Sequence, residues 1–170
     1  MGNSIAWYSS PFFTTMLGAL VGGGISFLAA WIIFKKQQER ERIKELKADR
    51  KTLWAVRCEV ADNVVLILKS KELIDFMGIK DENGEFELPD GFFDFGQSLW
   101  EIYKVSIYGQ IEDEDIEDAI SWFYYQSQVF NKTKRVSKRV AQEYENSGMK
   151  VVRYLKSRID DLDKEIKRLS

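Results

Sequence analysis

The sequence predicts an all-α protein with a single N-terminal transmembrane helix that continues into a long helix, followed by a cytoplasmic helical-bundle domain and a C-terminal coiled-coil-like helix. Three observations predict this class: residues 12–34 form an uncharged apolar run, no Pro or Gly interrupts 25–76, and apolar residues near the C-terminus recur every three or four positions. The 170 residues leave room for one soluble domain beside the apolar run. We therefore expect a short external N-terminus over 1–11, a transmembrane helix over 12–34, a basic stalk helix over 35–76 and a cytoplasmic domain over 77–170, with 43–70 packing onto that domain.

The apolar run is long enough to cross a bilayer. At ~1.5 Å per residue its 23 residues cover the ~30 Å hydrocarbon core. A secretion signal would be shorter and would carry its positive charge before the apolar core. A phosphate-binding P-loop would need Lys and then Ser or Thr after Gly23, where Gly24 and Ile25 stand. A transmembrane helix is therefore predicted, with a buried helix of a soluble domain as the alternative.

The charges beside the run predict its orientation. Between Lys35 and Lys51 there are eight basic and four acidic residues, and no charged residue precedes the run. Because basic residues flank the cytoplasmic ends of membrane helices, we expect the span to lie in the inner membrane with its N-terminus outside. The basic residues nearest the bilayer either contact anionic lipid or form a solvated stalk: Lys35, Lys36, Arg40 and Arg42.

Small residues follow one face of the predicted span. They recur at spacings of three, four, four and four and form what we call the small stripe: Thr15, Gly18, Gly22, Ser26 and Ala30. In lipid, helices associate through close backbone approach across small residues. Since one span is predicted, the partner must be another copy or another protein, and we expect a homo-oligomer in which the stripe packs neighbours or lines a pore. The alternative is that these residues reflect only the high glycine content of membrane helices.

The stalk and the segment after it predict a helix, a loop and a second helix. Apolar residues of the stalk fall on heptad a and d positions, with arginine at two further a positions: Ile43, Leu46, Leu53, Val60, Val64, Ile67, Arg50 and Arg57. A connecting loop with a short hairpin is expected over 80–95, because Gly84, Gly91 and Pro89 interrupt it, and its phenylalanines are expected to enter the core. A helix is predicted over 99–108.

Residues 112–119 contain six carboxylates. We interpret them as the start of a helix from about Asp115 to Glu145, since acidic side chains stabilise a helix N-terminus. A metal site is the alternative, although consecutive carboxylates on a helix point in different directions. The basic stretch 132–139 is expected to be solvated or to bind the acidic segment of a neighbour, with binding to the phosphates of a nucleic acid as the alternative. A break is expected at 146–148.

After that break, apolar residues alternate at three and four positions through the last part of the chain: Val152, Leu155, Ile159, Leu162, Ile166 and Leu169. This pattern is typical of a coiled-coil seam of about two and a half heptads. A seam so short is not expected to be stable alone. We therefore predict that it contacts the stalk helix or a second subunit.

Few residues are available for catalysis. The chain contains no histidine and one cysteine, Cys58, which excludes imidazole chemistry and an intramolecular disulfide. Arg153 and Arg158 in "RYLKSR" have the spacing of the Arg and His of HEPN ribonucleases, but arginine does not act as a general acid or base near neutral pH. We expect a protein that is not an enzyme and has no metal or other cofactor.

The layout of span, charged helix and helical domain, together with the spacing of Arg153 and Arg158, resembles the small accessory membrane proteins encoded with type VI-B CRISPR systems. The resemblance implies a divergent HEPN-like fold, assembly as a ring into a membrane pore, and partnership with an RNA-guided nuclease against phage. The chain is also similar to single-span bacterial proteins with an "ExxxN" helix, here Glu59 and Asn63, followed by a helix with a tryptophan, here Trp100.

Two functions therefore follow as hypotheses. In the first, several copies enclose a ring-shaped pore or channel-like effector, because one span cannot enclose water. The partners are then the bilayer, further copies of the chain and an RNA-guided nuclease. In the second, the protein is a membrane-tethered scaffold or receptor whose helical domain recruits a soluble partner.

Overall fold

The computed structural model confirms the all-α class. It describes residues 11–78, 84–87 and 94–170, so the predicted external N-terminus and part of the 80–95 loop, with Phe92 and Phe93, lie outside the described residues. The helices are α1 (Pro11–Phe76), α2 (Ser98–Tyr108), α3 (Glu114–Thr133) and α4 (Lys138–Leu169). Two short strands, β1 (Phe86–Glu87) and β2 (Arg135–Val136), pair antiparallel with Phe86 opposite Val136.

The chain forms two compact units. The first ends at Glu45, and the second comprises Leu46–Arg168. Helix α1 is continuous through the predicted boundary at 34/35. The positions of the predicted domain boundaries stay predictions.

In the second unit, the core is built from the inner face of α1, α2, α3 and the first two thirds of α4. Four of the predicted a and d residues of α1 are buried: Leu53, Val60, Val64 and Ile67. Aromatic side chains complete the core, with Phe123 stacked on Tyr144 at 4.1 Å between ring centroids and Phe95 at 5.3 Å from Phe130. Phe95 therefore enters the core as predicted.

Helix α3 begins where the acidic segment predicted a helix start. The Asp113 side chain caps the helix by accepting a hydrogen bond of 3.0 Å from the Asp115 N–H. Among the described residues, no group of three or more His, Cys, Asp or Glu side chains is arranged to hold a metal ion. The carboxylates of the first turn instead lie beside the unpaired N–H groups of the helix.

The predicted break at 146–148 is wrong, and so is the predicted helix from 115 to 145. Helix α3 ends at Thr133, where Lys134 adopts a left-handed conformation with φ 57° and donates its N–H to Phe130 at 2.9 Å. Ser137 then caps α4, accepting from the Val140 N–H at 3.3 Å, and α4 continues through Gly148 without interruption. The glycine at position 148 does not end the helix but allows close packing of α4 on α1, because an added Cβ would lie 2.4 Å from a methyl group of Val64.

Candidate functional site

Two parts of the molecule bear on function: the exposed apolar part of α1 and a buried polar cluster in the second unit. By length and composition, α1 is apolar enough to cross a membrane, and none of its apolar window is buried. Every residue from 11 to 42 is exposed. Large apolar side chains are among them, for example Phe12 at 76%, Leu20 at 66% and Phe27 at 68% exposure. A helix of this kind requires an apolar environment or a partner.

The small stripe lies within this exposed segment. An added Cβ at Gly18 or Gly22 would meet no atom within 4 Å, so close approach of another helix is open at both positions. The Thr15 hydroxyl donates to the Pro11 carbonyl at 2.8 Å, which satisfies its polar group inside the helix. Ser26 and Ala30 are exposed along the same face. Contact across the stripe stays a prediction.

The basic residues after the apolar run are also exposed: Lys35, Lys36, Arg40 and Arg42. Arg40 and Arg42 alternate with Glu39 and Glu41, so this surface carries both signs of charge. Lys35 and Arg42, for example, line an open groove of about 430 Å³ together with Glu39, Glu41 and Glu45. Lipid contact by these residues stays a prediction.

The C-terminal seam is divided between core and surface. Leu155 is fully buried and Ile159 is 7% exposed, both within the core of the second unit. The other four members are half-buried: Val152, Leu162, Ile166 and Leu169. An ion pair of 2.5 Å between Arg50 of α1 and Asp163 of α4 lies beside this part of α4. Contact of the seam with a second copy or another protein stays a prediction.

The HEPN-like arginines lie on α4, Arg153 at an exposed position and Arg158 at a half-buried one. The Arg158 guanidinium lies 3.9 Å from the Glu112 carboxylate. Both side chains are permanently charged and neither has a histidine beside it, because the chain has none. Their chemistry suits anion binding or ion pairing rather than proton transfer.

The predicted basic stretch is partly neutralised by its own chain. Lys138 pairs with Asp75 at 2.5 Å, and Arg139 pairs with Glu143 at 3.1 Å. Both basic residues line a cavity of about 560 Å³ together with the side chain of Gln142. Because acidic side chains share this cavity, it is not a strongly positive surface.

The buried polar cluster is centred on Glu59, which is 7% exposed. Its carboxylate accepts hydrogen bonds from the backbone N–H of Leu99 at 3.0 Å and of Trp100 at 3.1 Å, and from the Tyr124 hydroxyl at 2.8 Å. The two N–H groups belong to the first turn of α2, so Glu59 caps that helix from a distant part of the chain. Trp100 stacks on Tyr124 at 4.7 Å, which closes the cluster on its inner side.

Asn63 extends the cluster by one helical turn. Its side chain donates to the Gly96 carbonyl at 2.8 Å and accepts from the Gly96 N–H at 2.7 Å, which fixes the chain before α2. Burial, followed by the Glu59 charge, raises the pKa of the Tyr124 hydroxyl far above its usual range, so the phenol remains a donor. Burial raises the pKa of the Tyr144 hydroxyl in the same direction. These hydrogen bonds pair the polar groups of the cluster and stabilise the fold of the second unit.

The "ExxxN" pair and Trp100 were identified from sequence, and the structure brings all three together. The sequence did not identify Tyr124 or Gly96 as their partners. A carboxylate and an amide one turn apart on an otherwise apolar face signal a buried polar contact, but nothing local indicates its partner more than 30 positions away.

Comparison with protein-family models, curated proteins and solved structures finds no match for this chain.

Proposed function

We propose that the protein is a homo-oligomeric single-span membrane protein that forms a ring-shaped pore or channel-like effector in bacterial antiphage defence. The observation that carries the proposal is the fully exposed apolar part of α1 with its stripe of small residues. Lipid would cover the large apolar side chains, and neighbouring copies would cover the small stripe. The N-terminus is outside and the second unit is cytoplasmic.

Assembly follows from physical constraints on one span. A single helix cannot enclose water, so a conducting path needs several copies around an axis. Hydrophobic attraction between helices is weak in lipid, and packing across small residues provides the contact instead. The CRISPR-associated role and the RNA-guided nuclease as partner rest on the resemblance alone.

Two leucine substitutions in full-length protein test the assembly. Gly22→Leu places a bulky side chain on the small stripe, whereas Gly24→Leu places the same side chain on the opposite face of α1. Neither Cβ meets any atom within 4 Å in the single chain, so neither change disturbs the folding of one copy. We expect the Gly22→Leu variant to be monomeric in mass photometry and to cause no dye efflux from liposomes. The Gly24→Leu variant should retain both the oligomer and the efflux. A wild-type protein that stays monomeric in a bilayer would refute the proposal.

The defence role has a separate test. Bacteria that carry an RNA-guided nuclease of type VI-B are infected with phage in the presence and absence of this chain. We expect the chain to lower plaque counts only when the nuclease is present. Equal counts with and without the chain would remove the CRISPR-associated role and leave the pore untouched.

A non-enzymatic scaffold or receptor is the second candidate. Ile102 and Val105 on α2 favour it, because they are 68% and 81% exposed on the folded second unit and are available to a soluble partner. Stoichiometry distinguishes the two functions. A closed ring supports the pore, and a monomer or dimer that retains a soluble protein supports the scaffold.

A further inference from the structure

Helix α1 is apolar on two opposite faces between Leu53 and Leu68, and the second unit covers only one of them. The covered face holds the buried heptad residues of the core. The other face carries five apolar residues at spacings of four, three, four and three, which we call the outer seam: Trp54, Cys58, Ala61, Val65 and Leu68. A surface helix is expected to be polar on the side away from its core. The outer seam therefore requires a partner.

The outer seam is accessible along its whole length. Trp54 is 52%, Val65 47% and Leu68 38% exposed, and Cys58 and Ala61 are half-buried. The spacing is that of heptad a and d positions, with Cys58 and Val65 at a and the others at d. Small residues at Cys58 and Ala61 allow a second helix to approach closely at the centre.

Charges beside the outer seam indicate what that helix is. In the register of the outer seam, which differs from that of the buried heptad residues, Arg57 takes position g and Asp62 position e, on opposite sides of the seam. In a parallel, in-register pair of helices, g contacts e five residues further along the partner, so Arg57 of each copy meets Asp62 of the other. Arg57 is half-buried and Asp62 is exposed, and neither forms an ion pair with the residues that the structure describes. The chain is thus complementary to itself in charge.

We infer that the outer seam binds the outer seam of a second copy, with the two α1 helices parallel and in register. Lys51 and Glu72 occupy the next seam positions at its two ends and would favour antiparallel pairing of free helices. Copies inserted in one membrane with the same orientation present α1 in the same direction, which selects the parallel arrangement. About two heptads form a weak contact in solution, but confinement to one membrane raises the effective concentration. The inference rests on the proposed function, because it needs copies that share a membrane.

The native cysteine reports on the arrangement. In the parallel, in-register pair Cys58 faces Cys58 of the second copy, whereas antiparallel pairing sets it opposite the region of Val65. Full-length protein in liposomes is treated with a short bis-maleimide, and covalent dimer is measured on a denaturing gel. We expect dimer from the wild type. Cys58→Ser with Gln128→Cys, which moves the thiol to an exposed position of α3, should yield only the dimer that random collision produces.

Substitutions on the seam test its specificity. Val65→Lys should lower the dimer yield about tenfold, whereas Ile102→Lys, an equally drastic change at an exposed apolar site of α2, should leave it unchanged. Arg57→Asp and Asp62→Arg should each lower the yield, and the double substitution should restore it. Val65 and Asp62 are exposed in the folded unit, so their replacement leaves the core intact.

The results separate this inference from the proposed function. An oligomer in mass photometry without Cys58 cross-linking overturns the inference and leaves the pore standing. Equal losses of covalent dimer for Val65→Lys and Ile102→Lys overturn it as well. So does a double variant, Arg57→Asp with Asp62→Arg, whose dimer yield stays as low as that of the single variants. Protein that is monomeric in liposomes overturns both.

Discussion

Replacing Gly148 by alanine tests the packing of α4 against α1 and α3. An added Cβ would lie 2.4 Å from Val64 Cγ2 and 2.6 Å from Phe123 Cε2. Carbon atoms in contact prefer a separation of about 3.5–4.0 Å, so one of the three helices must move by about 1 Å. Neither neighbour can move aside easily, because Val64 is 3% exposed and Phe123, fully buried, stacks on Tyr144.

The expected cost combines two opposing terms. Overpacking of a well-filled core costs about 1–3 kcal/mol. Alanine in place of glycine in a helix interior recovers about 0.5–1 kcal/mol. From the midpoints of the two ranges, we expect Gly148→Ala to lower the free energy of unfolding by about 1 kcal/mol. For an ordinary glycine in the middle of a helix, replacement by alanine is expected to raise the free energy of unfolding. The experiment therefore decides between core packing and helix propensity.

Urea unfolding of the detergent-solubilised full-length chain, followed by near-ultraviolet circular dichroism, measures this change. Gly109→Ala is the matched control, since Gly109 has right-handed helical angles (φ −68°) and its added Cβ meets nothing closer than 3.7 Å. We expect it to be neutral or slightly stabilising. In a double-mutant cycle with Val64→Ala, the combined cost should be smaller than the sum, because removing the valine methyl groups relieves the clash. A Gly148→Ala variant as stable as the wild type would refute the packing argument.

Two further predictions concern the buried polar cluster. Glu59→Ala leaves two α2 backbone N–H groups and the Tyr124 hydroxyl without their acceptor, and should lower the free energy of unfolding by about 3 kcal/mol. The control Glu101→Ala, at an exposed position of α2, should change it by less than about 0.5 kcal/mol. Equal unfolding midpoints of the two variants in urea would contradict the capping role of Glu59. The pKa values of the Tyr124 and Tyr144 hydroxyls are raised in the folded state, so their contribution to stability is fully present below the unfolded value of about 10 and is lost above it. The free energy of unfolding should then fall by about 3 kcal/mol per pH unit above pH 10 for the two phenols together, and Tyr124→Phe should halve that slope in urea titrations at increasing pH. A stability independent of pH in this range would show that the phenols are accessible to solvent in the folded protein.

Most of the helical fold could be predicted from periodicity alone. Four of the predicted a and d residues of the stalk, Leu53 and Val60 among them, are buried by α1, because a heptad pattern records which face of a helix loses contact with water. The break at 146–148 was wrong because Gly148 was interpreted as a helix end. The actual reversal depends on Lys134 in a left-handed conformation, which lysine does not signal, and on Ser137 as a cap, whose residue type does signal a helix start.

The candidate sites were predictable to different degrees. The small stripe is a local pattern that the sequence alone shows, since the spacing of small residues on one helix needs no tertiary structure, and its role as a contact stays a prediction. The outer seam was missed, although its spacing is equally regular. On a helix with two apolar faces, the sequence does not show which face the domain covers, and only the exposure of Trp54 and Val65 reveals the uncovered one.

The buried polar cluster explains how the second unit selects one apolar face of α1. The inner face and the outer seam offer apolar side chains of similar size, so hydrophobic burial alone discriminates poorly between them. Glu59 and Asn63 lie on the inner face, and their partners are fixed groups of α2, α3 and the segment before α2. Turning α1 so that the outer seam faced inward would leave those donors unpaired and would bring Asp62 into the core, at a cost of several kcal/mol. The same residues that fix the fold thereby keep the outer seam exposed.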